Sequence, residues 1–249
     1  MFDVLLSFVA GTIIGSFCNV VIYRVPRRES IIVPGSQCRS CGESIQPWDN
    51  IPLLSYILLK GRCRACNEYI SPRYPIIEFV MGLLFLALYL KFKFSREFLV
   101  YALLTSTLFV VSVIDYDFKI IPDVITIPGM IVGLLLSVFI LPINLLSSFF
   151  GLLVGGVIFY SIAIITKGGM GGGDIKLIAM IGTYVGWQGV LFTIFSGAMI
   201  GSIIGLILIL TGKKNRNDKI PFGPFLACGA ILFILFGNNL IGLYLDFFS

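Results

Sequence analysis

The chain has 249 residues, of which 57% are apolar and only 12% charged, against about 25% charged in ordinary soluble domains. That little polar surface cannot cover a core in water, so a soluble globular protein is excluded and lipid is the main solvent. There is no histidine. This removes Ser-His-Asp and Cys-His hydrolases, His-Glu-x-x-His zinc proteases and histidine proton relays, leaving carboxylates, Lys, Tyr or Cys for acid–base work.

In chain order, the apolar blocks predict eight spans, roughly 2–23, 75–91, 98–114, 123–141, 146–165, 175–189, 191–211 and 221–245. Most are long enough to cross a hydrocarbon layer of about 30 Å; the sixth is short and contains glycine. The first block is expected to stay as an anchor rather than be removed as a signal peptide. Its only early charge is Asp3, and Arg24, Arg27 and Arg28 follow it instead of preceding it. With the N-terminus outside, the inner segments 24–74, 115–122, 166–176 and 212–219 hold 15 of the 18 Lys and Arg. Lys91, Lys93 and Arg96 hold the outer remainder. This positive-inside asymmetry and anionic lipid account for the net charge of +5, so no nucleic-acid partner is expected. The reading is an all-α polytopic membrane protein of about eight transmembrane helices. It divides into a first helix (1–23), a cytoplasmic segment (24–74) and a helical remainder (75–249). No tandem repeat at a fixed period is expected, and 212–219 reads as a solvated loop.

Within 24–74, Cys38-x-x-Cys41 and Cys63-x-x-Cys66 have the spacing of a four-thiolate structural zinc site. Two Cys-x-x-Cys turns close a tetrahedron, and the metal replaces a core that so short a segment cannot build. Disulfides are the rival but do not suit a reducing cytoplasm, and no thioredoxin-like pattern surrounds the pairs. Four thiolates saturate zinc, so the site is structural. Cys18 and Cys228, alone in apolar spans, read as small buried hydrophobes.

Ionisable residues at membrane depth point to function, and here they gather at the inner ends of spans. Asp115 ends the third span after an unbroken apolar run, where the helix dipole disfavours negative charge. Asp117 follows it into the loop and is expected to face water. Asp123, after Pro122, is expected to cap the fourth span. Asp174 follows Gly168-Gly169-Met170-Gly171-Gly172-Gly173. It is either an N-cap or a site residue, and the glycine run, which exceeds what a cap needs, permits close backbone approach. Glu78 lies one turn into the second span. Two carboxylates at one depth on neighbouring helices share a proton, so that one activates water while the other donates to a carbonyl.

Four ordered blocks resemble the type IV prepilin peptidases, a Gly-x-Gly-Asp class of aspartic membrane protease. They begin with Gly15-Ser16-Phe17-Cys18-Asn19-Val20-Val21-Ile22-Tyr23-Arg24-Val25-Pro26. The paired Cys-x-x-Cys segment follows, with Arg73-Tyr74-Pro75 and Glu78-Phe79-x-x-Gly82. Ile114-Asp115 with Ile121-Pro122-Asp123 comes next, and Gly171-Gly172-Gly173-Asp174-Ile175-Lys176 is last. The resemblance implies that Asp115 and Asp174 are the catalytic pair. It implies a substrate that is a type IV prepilin or pseudopilin precursor, cut after a Gly at the end of a short basic leader. It implies a multi-pass protein of the bacterial inner membrane with its active site facing the cytoplasm. It further implies N-methylation of the new terminus with S-adenosylmethionine, associated with the cytoplasmic segment and with Glu78 and Gly82. Cys18 stands where the family usually has an aliphatic residue. Asn19 reads as an interhelical hydrogen-bond former, Arg24 as a snorkelling anchor, and Lys176 as a partner for a carboxylate or an inner anchor.

Two other classes stand beside this. A transporter or channel would use the glycine-rich loop at a helix N-terminus to bind an anion. A non-enzymatic, zinc-bearing secretion assembly factor would use only the cysteines.

Overall fold

The computed structural model describes residues 2–215, 218 and 220–248, with side chains as far as residue 237. It is helical throughout, without a named strand among the described residues. Lipid offers no partner for peptide groups, so a spanning segment must satisfy its own backbone, and only helices do so within one segment. Five helices are long and apolar enough to cross a membrane, with two shorter apolar ones beside them. The chain is therefore a multi-pass membrane protein. It folds as two compact units, Met1–Phe98 and Leu99–Ser249.

The first unit pairs α1 (Phe2–Arg24) with α3 (Arg73–Phe92). They run antiparallel: Tyr89 donates to Asp3 at one end, and Asn19 donates to the Tyr74 carbonyl at 3.2 Å at the other. No hydrophobic force drives two helices together in lipid, so close packing must do it, and small residues make that possible. A Cβ on Gly11 would stand 2.6 Å from the Met81 carbonyl oxygen, and one on Gly15 2.8 Å from the Glu78 Cα. Ser7, Gly11, Gly15, Cys18 and Ile22 form the resulting buried stripe. Cys18 is the small buried hydrophobe expected. Between these helices lie two cysteine knuckles and a one-turn helix, α2 (Leu54–Leu58). The Arg24 guanidinium donates to the Ser30 and Gly35 carbonyls and closes the loop that follows α1.

The second unit takes α4 (Arg96–Phe118) from Leu99 onward, with α5 (Asp123–Phe139), α6 (Leu145–Ile165), α7 (Gly172–Leu210) and α8 (Gly223–Phe248). The predicted sixth and seventh spans both lie in α7, as two helical segments that meet at a kink at Gly186, where φ is 71° and ψ 179°. A side chain is strained there, so glycine makes the kink. Against this stretch Gly151 and Gly182 bring α6 and α7 backbone to backbone, and the buried Ser148 hydroxyl donates to the Thr183 carbonyl at 2.6 Å. Tyr184 donates to the Gly129 carbonyl of α5 at 3.1 Å. Cys228 departs from expectation: it is exposed on α8, because the stripe of Leu226, Ala227 and Ala230 takes the buried side. Of the expected 212–219 loop, Arg216, Asn217 and Lys219 lie outside the described residues.

Candidate active site and metal centre

Asp115 is the last buried residue of α4, 6% exposed beside the fully buried Ile114. Its Oδ2 accepts the backbone N–H of Gly223, the first residue of α8, at 2.9 Å. The dipole at the end of α4 disfavours a carboxylate, but the N-terminus of α8 offers a donor and the opposite dipole. Only glycine permits this approach, since a Cβ on Gly223 would lie 2.7 Å from the same oxygen. The sequence reading missed Gly223. Its only local signal is Pro221-Phe222-Gly223-Pro224, a glycine before a first-turn proline at the head of an apolar block.

Asp174 is not the N-cap of α7; Gly171 is, without a side-chain bond of its own. Asp174 stands in the first turn and reaches back to the Gly171 N–H, as the acidic member of a capping box does. Its Oδ1 is buried with no hydrogen-bond partner among the described residues. The Asp115 and Asp174 carboxylates are close enough for their charges to interact. The glycine run has an alternating logic. A Cβ on Gly171 would meet Asp174 Oδ2 at 2.9 Å, and one on Gly173 would meet Ile121 Cβ at 2.7 Å, while Gly172 has open space. The first and third glycines of Gly-x-Gly-Asp thus carry the packing, and the middle position does not.

The expected cap at Asp123 is replaced by an ion pair. Pro122 takes the cap position of α5, and both Asp123 oxygens lie 2.7 Å from Lys176 Nζ. Lys176 is thereby assigned a carboxylate partner. The pair is about half exposed and is worth at most about 1 kcal/mol. Asp117 is exposed, as expected, although on the last turn of α4 rather than in a loop. Deeper along the same elements, α4, α5 and α7 enclose a cleft of about 160 Å³, lined by Leu104, Thr107, Ile125, Pro128, Met180 and Tyr184.

In the first unit, Cys38, Cys41, Cys63 and Cys66 converge, with all four sulfurs within 4.8 Å of one another. Cys38 and Cys66 Sγ are 3.8 Å apart. A tetrahedron of sulfurs about 2.3 Å from a zinc ion has edges of about 3.8 Å, so the donor set fits a metal ion. The knuckles are copies. Cys-Arg-x-Cys-x-Glu-x-Ile-x-Pro occurs at 38–47 and again 25 residues on, at 63–72, a repeat that the sequence reading overlooked. In each copy the first Cys N–H donates to the Glu carbonyl, at 2.8 Å from Cys38 and 2.9 Å from Cys63. The residue after the second Cys, Gly42 or Asn67, turns back with φ of 74° or 62°. The Cys41 and Ser40 backbone N–H groups hold the Cys38 thiol down at about 6. At Cys66 the Glu68 N–H pulls the same way, but burial and the other three sulfurs outweigh it and push the thiol up to about 12.

Glu78 is 8% exposed, and its Oε2 accepts the Leu53 N–H at 2.9 Å, with the Ser16 hydroxyl also bonded to the carboxylate. One turn on, the open side of Gly82 is filled by the Phe8 ring, 2.7 Å from where a Cβ would stand. Both residues are engaged within the fold of the first unit.

The chain matches the family described as Bacterial Peptidase A24 N-terminal domain over residues 9–92 and the Type IV leader peptidase family over 102–210. It is 37% identical to a prepilin leader peptidase/N-methyltransferase of Bacillus subtilis, over 96% of each chain. It is 35% identical to the protein of that description from Pseudomonas aeruginosa, over 98% of this chain and 94% of the relative. For the Pseudomonas putida protein the figure is 34%, over 94% and 91%. No solved structure matches the chain.

Proposed function

The chain belongs to the type IV leader peptidase family, and from that premise we propose that it is a membrane-embedded aspartic endopeptidase acting on type IV prepilin and pseudopilin precursors. It removes their basic leader at the cytoplasmic face of the bacterial inner membrane and then N-methylates the new terminus. The Lys and Arg asymmetry between inner and outer segments supports that orientation.

We assign the hydrolysis to Asp115 and Asp174. The observation that carries this is the buried Asp174 Oδ1 with no hydrogen-bond partner among the described residues, within electrostatic reach of a second carboxylate held by the Gly223 N–H. Two carboxylates that sense each other do not both ionise readily, so one proton is shared. The ionised member takes a proton from water as its oxygen attacks the scissile carbonyl. The protonated member donates to the carbonyl oxygen, and collapse of the tetrahedral intermediate returns a proton to the leaving amine. With no histidine in the chain, this is the most economical hydrolytic pair available.

Residues 24–74 form the cytoplasmic module between the first helix (1–23) and the helical body (75–249). Zinc would be held by Cys38, Cys41, Cys63 and Cys66 and would act as a structural crosslink between the copied knuckles. S-adenosylmethionine supplies an electrophilic methyl group for the second activity. Glu78 and Gly82, each engaged by neighbours in the fold, do not fit as the floor of a site for it. They act by position, fixing the segment around Leu53 against α1 and α3.

The test is incubation of the detergent-solubilised protein with a pilin precursor, followed by mass analysis of the product. Loss of the leader, plus a methyl group when S-adenosylmethionine is present, is expected. An intact precursor under conditions that preserve the fold would return the transporter reading.

A further inference from the structure

Residues 48–58 have an amphipathic character that neither the peptidase site nor the metal centre uses. Ser55 is buried and its hydroxyl donates to the Trp48 carbonyl at 3.0 Å, while the Tyr56 hydroxyl reaches inward to the Ile70 carbonyl. The large apolar side chains go the other way. Leu58 is 79% exposed, Ile57 68%, Leu54 59%, Ile51 47% and Trp48 61%. A solvated module has no reason to present five such residues on eleven consecutive positions, and a patch of this kind marks an interaction surface.

What lies against it is decided by depth. The Leu53 N–H, at the head of α2, is bonded to Glu78, which is buried inside the membrane-spanning helix α3. Glu78 stands five residues, about 7 Å of helical rise, beyond the start of α3 at Arg73. It packs where Gly15 and Ser16 lie, well inside α1. Leu53 has a positive φ of 62°, so the chain turns sharply at this tether before entering α2. The apolar face is thus held at the level of the outward-facing Ile76 and Phe79 of α3 and is continuous with a surface that already meets lipid. Exposed Lys60 lies two residues after Leu58, as befits an anionic leaflet, while Arg64 is paired with Asp49 at 2.7 Å.

We propose that α2 with its flanking residues 48–53 is a membrane-surface anchor. Leu54, Ile57 and Leu58 insert into the boundary between lipid headgroups and acyl chains, and the Glu78–Leu53 bond sets their depth. The metal-binding knuckles are then docked onto the bilayer rather than tethered loosely above it.

The chain has two tryptophans, which makes the test direct. Trp48→Phe and Trp187→Phe, combined with Leu58→Trp, leave one reporter on α2. A parallel protein carries Tyr69→Trp, on the second knuckle, as its sole tryptophan. Each full-length protein is reconstituted into phosphatidylcholine–phosphatidylglycerol vesicles, with or without lipid brominated near the headgroup end of its chains. The reporter at 58 should be strongly quenched by the bromolipid and roughly threefold less accessible to aqueous iodide than the reporter at 69. Adding Leu54→Ser and Ile57→Ser should reverse both effects at 58. The vesicles contain no other protein, so a reporter at 58 that iodide quenches as well as that at 69, and bromolipid leaves untouched, overturns the proposal and assigns the patch to a protein partner. None of these readouts depends on precursor cleavage.

Discussion

Replacing Gly223 by alanine probes how the site is assembled rather than which groups react. The new Cβ would stand 2.7 Å from Asp115 Oδ2 and 3.3 Å from its Cγ, whereas ordinary contacts begin near 3.4 Å. The carboxylate must withdraw by some 0.7 Å, and the 2.9 Å bond from the Gly223 N–H is lengthened or lost. A hydrogen bond to a charged group is worth about 1.5–3 kcal/mol, and a misplacement near 1 Å costs on the order of a hundredfold in rate. Precursor cleavage by Gly223→Ala should therefore fall about 10- to 100-fold, in kcat rather than KM, because the substrate-binding surface is unchanged. The assay is cleavage by solubilised protein at matched expression, with thermal unfolding followed by size-exclusion to verify the fold. Gly156→Ala is the control, since its Cβ would meet only Ala179 at an ordinary 3.8 Å. A Gly223→Ala protein with wild-type kcat would show that the Asp115–Gly223 contact does not position the carboxylate for reaction.

Further outcomes follow from the same geometry. Asp115→Asn and Asp174→Asn should each abolish cleavage, and the double variant should be no worse, because Asn cannot act as a proton-transfer base and the two groups act as a unit; precursor cleavage by a well-expressed single variant removes that residue from the pair. Asp123→Asn gives up only a half-exposed ion pair with Lys176, so activity should stay within about fivefold of wild type; complete loss would place Asp123 in the chemistry. Gly82→Leu drives a side chain into the Phe8 ring, already in edge contact with Phe79 at 5.9 Å. It should reduce methyl transfer more than cleavage, and equal loss of both in product masses contradicts a separate role. Purified protein should carry about one zinc ion per chain by elemental analysis. Metal binding must displace the proton from Cys66, so affinity should rise with pH and acidification should release the ion. Protein purified under reducing conditions without any metal would remove the centre.

Much of this molecule is legible in one dimension because lipid makes local rules strict. Every spanning segment must be apolar and must close its own backbone hydrogen bonds, so span positions follow from composition alone, with boundaries within a few residues. The cysteine pairs are similarly local, and metal geometry leaves two Cys-x-x-Cys turns few ways to meet. The aspartates stand out because charge is rare at span ends. The copied knuckles were equally present in the sequence, 25 residues apart, but a repeat occurring only twice has no period to betray it.

What only the tertiary structure decided are the contacts that join distant segments. Asp115 and the Gly223 N–H are 108 residues apart, Lys176 and Asp123 53, and Leu53 and Glu78 25. Each depends on a backbone or side-chain approach of about 3 Å, which no helical periodicity encodes. A lone Asp after proline reads as a cap until a lysine from another helix comes within reach. A glycine before proline reads as a helix start until a carboxylate is found against it. The sequence divides the sixth and seventh spans at residue 190, while packing against α6 puts the break at Gly186, with a φ of 71°, between two helical segments. The residue types at the site are a property of the chain, while their partners are a property of helices packed closely enough for glycine to matter.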